Sequence, residues 1–327
     1  MHDIAQVENH MLSRSAEDLY WMSRYVERAE NAARTLDVSY RMSRLPSLAA
    51  QDELHWRPAI EIGPDTRYFD ETYGEPSEAN VIKYMALDPE NPSSILSCIK
   101  GARENAHAER TAVTSEMWEA LNATWLEIAD LDAAKLERWG YRAFFDWIKE
   151  RSHLFRGVTY GTLPRGDAFH FLRLGTFLER ADNTARILDV KYHVLLPEGE
   201  EVGGVVDYYQ WGALLRSVSA FRAYRAAYRD SIRPWKVAEL LVLRADMPRS
   251  LRTCFDEVLH TLEALAGEVP RDCHRLAIEI HASLRFAQIE RVVRTGLHEF
   301  LDDFISKNNA LGLQVQRDFM MAAPVEQ

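Results

Sequence analysis

The sequence contains one charged segment twice. Residues 25–40 read YVERAENAARTLDVSY, and residues 177–192, which lie 152 positions later, read FLERADNTARILDVKY. Ten of the sixteen aligned positions are identical. Because charged and apolar residues recur three and four positions apart in both copies, each copy is predicted to form an amphipathic helix. A helix that is repeated with its charges intact indicates that these charges have specific partners.

Further matches in the same order predict an internal duplication. Trp56 aligns with Trp211 at an offset of 155, and PSSILSC (92–98) aligns with PRSLRTC (248–254) at an offset of 156. The offset drifts slowly, as small loop insertions would make it do. We therefore predict one domain made of two related repeats, each with five or six helices. The domain covers residues 1–327, and the repeats cover about 1–155 and 156–327.

The fold class follows from the same periodicity. Strand patterns are nearly absent from the chain, so the sequence predicts an all-α protein, a helical bundle. The first repeated helix is predicted to begin at Ser15 and to end before Pro46, and the second to begin near Asp167 and to end before Pro197. Two halves this similar are expected to pack around an approximate twofold axis, as the subunits of a symmetric dimer do.

Composition limits the classes of partner. With 39 Lys and Arg against 50 Asp and Glu, the net charge of −11 repels a polyanion, so nucleic acid is not an expected partner. No segment approaches the roughly 20 apolar residues of a membrane span, and no signal peptide is recognisable. The cysteines Cys98 and Cys254 align with each other and are predicted to be buried small side chains. We expect a cytoplasmic protein.

The charged side chains of the repeated helix fall on one strip. In the first copy this strip contains Glu27, Asn31 and Arg34. The equivalent strip of the second copy contains Glu179, Asn183 and Arg186. An exposed acid and base four residues apart contribute only about 0.2–0.5 kcal/mol, too little to explain an asparagine at the same place in both copies. Two strips that face each other would instead form a desolvated hydrogen-bond network.

Two interpretations of such facing strips stay open. In the first, the strips form a buried structural ladder that specifies how the halves pair. In the second, they line a polar pocket that binds a charged or amide-bearing ligand through Arg34 and Arg186. Arginine suits this role because its guanidinium group binds carboxylate or phosphate with two parallel hydrogen bonds.

Three segments resemble the bacterial alpha-E domain family over most of the chain. They are LSRSAEDLYWMSRYVERAENAARTLDV (12–38), ARENAHAERTAVTSEMWEALN (102–122) and FLRLGTFLERADNTARILDVKY (171–192), in which ERAENAAR and ERADNTAR match the hallmark of the family. The resemblance implies an all-helical domain encoded beside, or fused to, a circularly permuted ATP-grasp ligase and a transglutaminase-like peptidase. This genomic association suggests a system that makes, modifies or trims a peptide or amide.

The resemblance also implies a set of polar site residues. It brings no catalytic assignment, and it covers both repeated helices together with a short segment between them. The implied positions are Glu27, Arg28, Asn31, Arg34, Asp37, Arg103, Glu104, Asn105, Glu179, Arg180, Asn183, Arg186 and Asp189.

Three functions are therefore open. In the first, the protein is an accessory or substrate-binding component of an ATP-grasp-linked system, in which Arg34 and Arg186 hold the carboxylate of a peptide, amino acid or carrier. In the second, it is an enzyme that uses Glu27 or Glu179 as a general base whose pKa is raised by burial. In the third, it is a scaffold whose polar strips only pair the halves.

A metal or cofactor is not expected. Glu104 with His107 and Glu257 with His260 have the spacing found in carboxylate di-iron bundles. The two motifs are out of register in the duplication, however, because the offset of 156 aligns Glu104 with His260. The sequence also lacks the HExxH zinc motif and the GxGxxG nucleotide fingerprint. We predict no resident metal and no cofactor.

Overall fold

The computed structural model describes residues 11, 13–44, 52–63, 66–193, 204–266 and 270–321. In this part of the chain all regular secondary structure is helical, so the predicted all-α fold class is confirmed. A search of the same residues finds no helix with the length and apolar character that crossing a bilayer requires.

The described residues form sixteen helices. In chain order they are α1 (Ser13–Ser43), α2 (Asp52–Glu61), α3 (Arg67–Tyr73), α4 (Glu78–Ala86), α5 (Ile95–Ala108), α6 (Ser115–Ile128), α7 (Ala133–Trp139), α8 (Tyr141–Thr162), α9 (Asp167–His193), α10 (Val205–Ser217), α11 (Phe221–Tyr228), α12 (Pro234–Val242), α13 (Leu251–Leu265), α14 (Asp272–Arg285), α15 (Ile289–Thr295) and α16 (Leu297–Phe319).

The order of helix lengths recurs after α8. Helices α4 to α8 and α12 to α16 have bounds that agree within one residue at an offset of 156. The described part of the chain thus has eight helices before residue 163 and eight after residue 166, so the expectation of five or six per half is wrong. The expected boundary near residue 155 lies inside α8. This order agrees with a duplication, whereas the approximate twofold axis stays a prediction.

Local signals repeat with the helices. Gly140 (φ 91°) ends α7 and precedes α8, and Gly296 (φ 117°) does the same between α15 and α16. Both φ values lie where residues with a Cβ are rarely found, which explains a glycine at each corner. Ser94 and Ser250 cap α5 and α13 by accepting hydrogen bonds from backbone N–H groups three residues on. The same chemistry therefore begins and ends equivalent helices.

Helices α1 and α9 form the central pair. Helix α1 packs on α5, α8 and α9, and α9 packs on the equivalent α13 and α16. Helix α1 begins at Ser13, two residues before the predicted start at Ser15, and α9 begins at the predicted Asp167. Both helices end before Pro46 and Pro197, as the sequence predicts. The repeated segments therefore lie side by side in the interior.

Small residues let the backbones of α1 and α9 approach closely. The alanines Ala29 and Ala33 of α1 are buried, as are their equivalents in α9. At Gly175 of α9, a Cβ atom would lie 2.3 Å from the backbone oxygen of Tyr20 and 2.3 Å from Oγ of Ser23. Real Cβ atoms do not approach other atoms this closely. Only glycine fits at this crossing point.

The aligned cysteines are buried, as predicted. Cys98 lies in α5 and Cys254 in α13, and neither is accessible to solvent. Burial raises the pKa of each thiol to about 12. Both thiols are therefore protonated at neutral pH and act as small core side chains rather than as nucleophiles.

Gly175→Ala tests the close approach of α1 and α9. We expect it to lower the free energy of unfolding by roughly 1–3 kcal/mol, because the added methyl group must push a backbone away. Urea denaturation followed by circular dichroism measures the change.

Gly157→Ala is the matched control, since a Cβ at this position in α8 would meet nothing within 4 Å. The control should gain roughly 0.5–1 kcal/mol from the higher helix propensity of alanine. If Gly175→Ala is as stable as the wild-type protein, the crossing is looser than described.

Candidate functional site

Two carboxylates of the central pair are bound by arginines of the opposite helix. Glu27 of α1 accepts hydrogen bonds from Nε (3.0 Å) and Nη2 (2.9 Å) of Arg180 in α9. Glu179 of α9 accepts from Nε (2.6 Å) and Nη2 (3.1 Å) of Arg28 in α1. Since Glu27 aligns with Glu179 and Arg28 with Arg180, the same bidentate pair forms twice with the helices exchanged. We call these contacts the reciprocal pairs.

Each of the two carboxylates also binds a second arginine, which comes from α8 for Glu27 and from α1 for Glu179. Arg156 of α8 donates to Oε2 of Glu27 (2.9 Å), and Arg24 of α1 donates to Oε2 of Glu179 (2.7 Å). The offset of 156 aligns Arg156 with Gly312 of α16, which has no side chain. A Cβ at Gly312 would lie 3.6 Å from Nη1 of Arg24. Arg24 therefore extends past Gly312 and binds Glu179 as Arg156 binds Glu27.

These arginines decide the ionisation of the two glutamates. Burial raises the pKa of Glu27, but the charges of Arg180 and Arg249 outweigh it and lower the pKa to about 2. In the same way, burial of Glu179 is outweighed by Arg28 and Arg24, and its pKa is also about 2. The expectation of a pKa raised by burial is therefore wrong for both. A carboxylate with so low a pKa is a weak general base at neutral pH.

One more arginine completes the surroundings of Glu27, which we call the closed end, and we call the surroundings of Glu179 the cavity end. Arg249, which lies just before α13, donates to Glu30 (2.6 Å) and to Asn31 (3.2 Å) and lies 3.1 Å from Glu27. Glu30 also accepts from Nε of Arg34 (2.7 Å). Burial lowers the pKa of Arg249, although both carboxylates counteract this effect. The guanidinium group of Arg249 thus occupies the space between the three acceptors.

At the equivalent place near Glu179 there is a cavity. Its volume of about 380 Å³ lies within the roughly 300–1,000 Å³ of small-molecule pockets. Its walls come from α1, α2, α4, α9 and α16 and from the segment between α4 and α5. We call it the α1–α9 cavity. Its charged and amide lining residues are Arg24, Arg28, Asn31, Asn91, Glu179, Asp182, Asn183, Arg186 and Asn309.

Three polar atoms of the cavity lining are buried without a partner in the described part of the chain. They are Nδ2 of Asn31, Oδ1 of Asp182 and Oδ1 of Asn183. Only 8% of the Asn183 surface is exposed. A buried polar atom without a hydrogen bond costs about 1–3 kcal/mol, so a protein rarely retains several of them in one place. Together they form a site that is complementary to a ligand with both hydrogen-bond donors and hydrogen-bond acceptors.

The structure brings five of the sequence-predicted site residues to the cavity wall. They are Arg28, Asn31, Glu179, Asn183 and Arg186. Arg186 also donates to Asp182 (2.7 Å).

Three other predicted residues of the repeated helices take part in the closed end instead. Glu27 and Arg180 form a reciprocal pair, and Arg34 donates to Glu30 and to the carbonyl of Ser217 (2.8 Å). Their binding roles stay predictions, but their side chains are engaged within the protein.

Asp37 and Asp189 lie further along the central pair. Asp37 accepts from Arg41 (2.9 Å) and Lys149 (3.2 Å), and Asp189 is bonded to His298 (2.7 Å). Neither residue lines the α1–α9 cavity. Their predicted role in ligand binding is not supported by proximity to it.

The three consecutive residues of the predicted trio lie in α5, and their side chains have different surroundings. Arg103 donates to Asn122 (2.9 Å), and Asn105 donates to the carbonyl of Asp18 (3.0 Å). Glu104 is exposed. None of the three lines the cavity, so the structure does not bring them to the central pair's polar strips.

Sequence reasoning missed the arginines that close the end near Glu27. Arg156 carries no signal in the sequence, because its aligned position is Gly312. Arg249 does carry one: the matched segments PSSILSC and PRSLRTC differ at their second position, which is Ser93 in one and Arg249 in the other. A charged residue in only one of two matched segments indicates that the two repeats differ there.

No metal centre is found in the described residues. They contain no group of three or more His, Cys, Asp or Glu side chains placed to hold a metal ion. Glu104 and His107 are both exposed on α5, whereas Glu257 and His260 belong to α13. The motifs with di-iron spacing therefore do not form a joint ligand set here.

Comparison with known proteins identifies the family. Residues 11–320 match the model of the Alpha-E family, described as a predicted alpha-helical domain with a conserved ER motif. The match covers nearly the whole chain, and the chain belongs to this family. A search of curated proteins and a search of solved structures find no match. In this chain the dipeptides Glu27-Arg28 and Glu179-Arg180, which carry the sequence resemblance, form the reciprocal pairs.

Glu179→Gln tests the ionisation of the reciprocal pairs. Because the folded-state pKa of Glu179 is about 2 against an ordinary 4.5, its contribution to stability is present above about pH 4.5 and is lost as the pH falls toward 2. The size of the shift corresponds to about 3 kcal/mol. The variant should therefore lose stability at pH 6 and approach the wild-type protein near pH 2.5.

Urea denaturation at several pH values measures this difference in the free energy of unfolding. A control is Glu104→Gln, since Glu104 is exposed and its replacement should change stability by no more than about 0.5 kcal/mol at any pH. A wild-type to Glu179→Gln difference that does not vary with pH would show that Glu179 has an ordinary pKa.

Proposed function

We propose that this Alpha-E protein is a substrate-binding component of an ATP-grasp-linked system that synthesises or modifies a peptide or amide. It holds a charged peptide, amino acid or carrier in the α1–α9 cavity while an ATP-grasp ligase-like partner activates a carboxylate. A transglutaminase-like peptidase is the second expected partner. We expect the system to work in the cytoplasm. The partners rest on the family resemblance, and the ligand site rests on the cavity.

The observation that carries the proposal is the set of unpartnered polar atoms in the cavity wall. Asn31 presents an amide donor, and Asp182 and Asn183 present oxygen acceptors, all buried and without a partner in the described residues. Small-molecule sites have this character: a concave space with a few convergent polar groups. The reciprocal pair of Arg28 and Glu179 forms a rigid, charged part of the wall.

The ligand-binding residues are a subset of those expected from the sequence. Arg186 lines the cavity and Arg34 does not, so of the two arginines first expected to hold a carboxylate, the proposal keeps only Arg186. Asn183 orients the ligand through its unpartnered oxygen. Glu179 is fixed by two arginines and supports the wall rather than reacting.

A scaffold function of the closed end is the second candidate, favoured by a specific observation. Around Glu27 and Glu30, Arg249 occupies the space that the cavity leaves open at the other end. Breaking such buried pairs typically costs about 3–5 kcal/mol because it leaves an uncompensated charge, so the fold depends on keeping this end complete. We infer that one end of the central pair is structural and the other binds the ligand. Enzymatic use of either glutamate as a general base is disfavoured by a pKa of about 2.

Asn183→Leu separates ligand binding from folding. Because Oδ1 of Asn183 has no partner in the described structure, replacing the amide with a similar apolar side chain should leave the free energy of unfolding within about 0.5 kcal/mol of wild type. A thermal-shift panel of charged amino acids and dipeptides should contain ligands that stabilise the wild-type protein. At 100 times Kd the gain is about 2.7 kcal/mol. The variant should lose this gain.

Asn31→Leu provides the contrast, since Oδ1 of Asn31 accepts a hydrogen bond from Arg249. This variant should be destabilised even without ligand. If wild type and Asn183→Leu respond equally to every stabilising compound, the cavity is not the ligand site. Reconstitution with the ATP-grasp partner then tests the wider proposal: ADP release that needs the wild-type protein and fails with Asn183→Leu is the expected result.

A further inference from the structure

The two ends of the central pair differ by one missing guanidinium group. At the closed end, Glu27 is bound by Arg180 and Arg156, and Arg249 completes the set. At the cavity end, Glu179 is bound by Arg28 and Arg24, and among the described residues no further arginine lies at the place of Arg249. The offset of 156 puts Ser93 there. The closed end therefore shows what chemistry this constellation of acceptors can hold.

The equivalence of Ser93 and Arg249 rests on the backbone as well as the sequence. Each directly precedes an N-cap serine, Ser94 of α5 or Ser250 of α13. Both caps have nearly the same backbone angles, φ −63° and ψ 153° against φ −69° and ψ 151°. The helices that they begin pack on α1 and α9 respectively. The two residues thus start from matching backbone positions.

Arg249 binds three acceptors at the closed end. Its Nη1 donates to Oδ1 of Asn31 (3.2 Å), and its Nη2 donates to Oε1 of Glu30 (2.6 Å) and lies 3.1 Å from Oε1 of Glu27. Two nitrogens of one planar group therefore reach an amide oxygen and two carboxylates. This divergent pattern of donors is characteristic of guanidinium groups.

Two of the three aligned acceptors of the cavity are left without donors in the described part of the chain. Within the residues that the structure describes, Oδ1 of Asn183, which aligns with Asn31, and Oδ1 of Asp182, which aligns with Glu30, have no hydrogen-bond partner. The third acceptor is Oε1 of Glu179, which receives Nε of Arg28 (2.6 Å). Ser93 lines the cavity but has no side chain long enough to carry a cation to them. The acceptors for a guanidinium group are thus present and its donor is absent from the aligned position.

We propose that the α1–α9 cavity binds a guanidinium group, carried by an arginine side chain or an arginine-derived small molecule. This inference rests on the proposed function and names the chemical class of its ligand. The guanidinium group of the ligand donates to Asp182 and Asn183, as Arg249 does to Glu30 and Asn31, and it forms an ion pair with Glu179, as Arg249 does with Glu27. The aliphatic part of the ligand leaves the cavity past Ser93. This path is equivalent to the one that the side-chain carbons of Arg249 follow at the closed end.

The closed end shows that a further cation can be held where guanidinium groups already outnumber carboxylates. The closed end holds two carboxylates, Glu27 and Glu30, against four guanidinium groups. The cavity end holds two carboxylates, Glu179 and Asp182, against three, from Arg24, Arg28 and Arg186. A bound guanidinium group gives the cavity end the same balance that the folded protein already holds at the closed end.

Isothermal titration calorimetry on the full chain tests the proposal with defined probes. Agmatine and L-arginine carry the guanidinium group, L-citrulline is its uncharged analogue, and L-lysine is a cation without the planar fork. N-acetyl-L-glutamate is the anionic probe. We expect agmatine to bind at least tenfold more tightly than L-lysine, with L-citrulline and N-acetyl-L-glutamate weaker still. An N-acetylated arginine amide distinguishes the sources: binding as tight as that of agmatine indicates an arginine of a peptide, and weaker binding indicates a free small molecule.

Ser93→Arg is the decisive variant, because it supplies from the chain the group that we expect from the ligand. It should raise the midpoint of thermal unfolding and abolish agmatine binding. Asp182→Asn is the second variant and keeps the shape of the site while removing one negative charge. It should weaken agmatine binding at least tenfold, which keeps the test informative if Ser93→Arg does not fold.

The outcomes separate this inference from the proposed function. Agmatine binding that Ser93→Arg and Asp182→Asn reduce supports a guanidinium site. Binding of N-acetyl-L-glutamate in place of the cations overturns the guanidinium site while leaving a ligand cavity. Agmatine binding that neither variant changes overturns it as well, since the cation then lies elsewhere. Failure of every probe overturns the guanidinium site, while the proposed function is decided separately by the response of Asn183→Leu.

Discussion

Two buried carboxylates paired with arginines of the opposite helix form the constraint on which this structure depends. Removing Glu27 and Glu179 from water is unfavourable, and only arginines held in good geometry offset that cost. The bidentate contacts meet this condition, and they require α1 and α9 to lie in one register. Small residues allow the close approach, and a side chain at Gly175 would collide with the backbone of α1. The two repeated Glu-Arg dipeptides of this chain thus have a physical role: each supplies a carboxylate to one pair and a guanidinium group to the other.

The same contact is completed in two ways, and this difference gives the molecule its candidate function. At one end Arg156 and Arg249 join the reciprocal pair and fill the interior. At the other, Arg24 replaces the first of them, and the second has no counterpart in the described structure. A cavity remains there, lined by an amide and a carboxylate oxygen that have no partner among the described residues. A duplicated helix allows this division of roles, because one copy can retain the structural network while the other exposes the same acceptors to a ligand.

Much of the fold was predictable from the sequence, because the period of three and four residues and the repeated segment fix the helices and their equivalence. The polar strip of Glu27, Asn31 and their equivalents also identified part of the cavity wall. The arginines from other helices were not predictable, since contacts such as Arg156 with Glu27 depend on how distant helices pack. The difference between Ser93 and Arg249 was visible, but its meaning required the three acceptors around Arg249.

A double-mutant cycle on Glu27 and Arg180 measures the central claim most directly. Glu27→Gln, Arg180→Met and the double variant are compared with the wild-type protein by urea denaturation at neutral pH, alongside the same cycle on the exposed pair Asp303 and Lys307. A reciprocal pair that fixes the register of α1 and α9 predicts a coupling energy of about 2–3 kcal/mol, against about 0.5 kcal/mol or less for the exposed pair. Equal, small coupling energies in both cycles would contradict the account, because the buried pair would then not fix the register of α1 and α9.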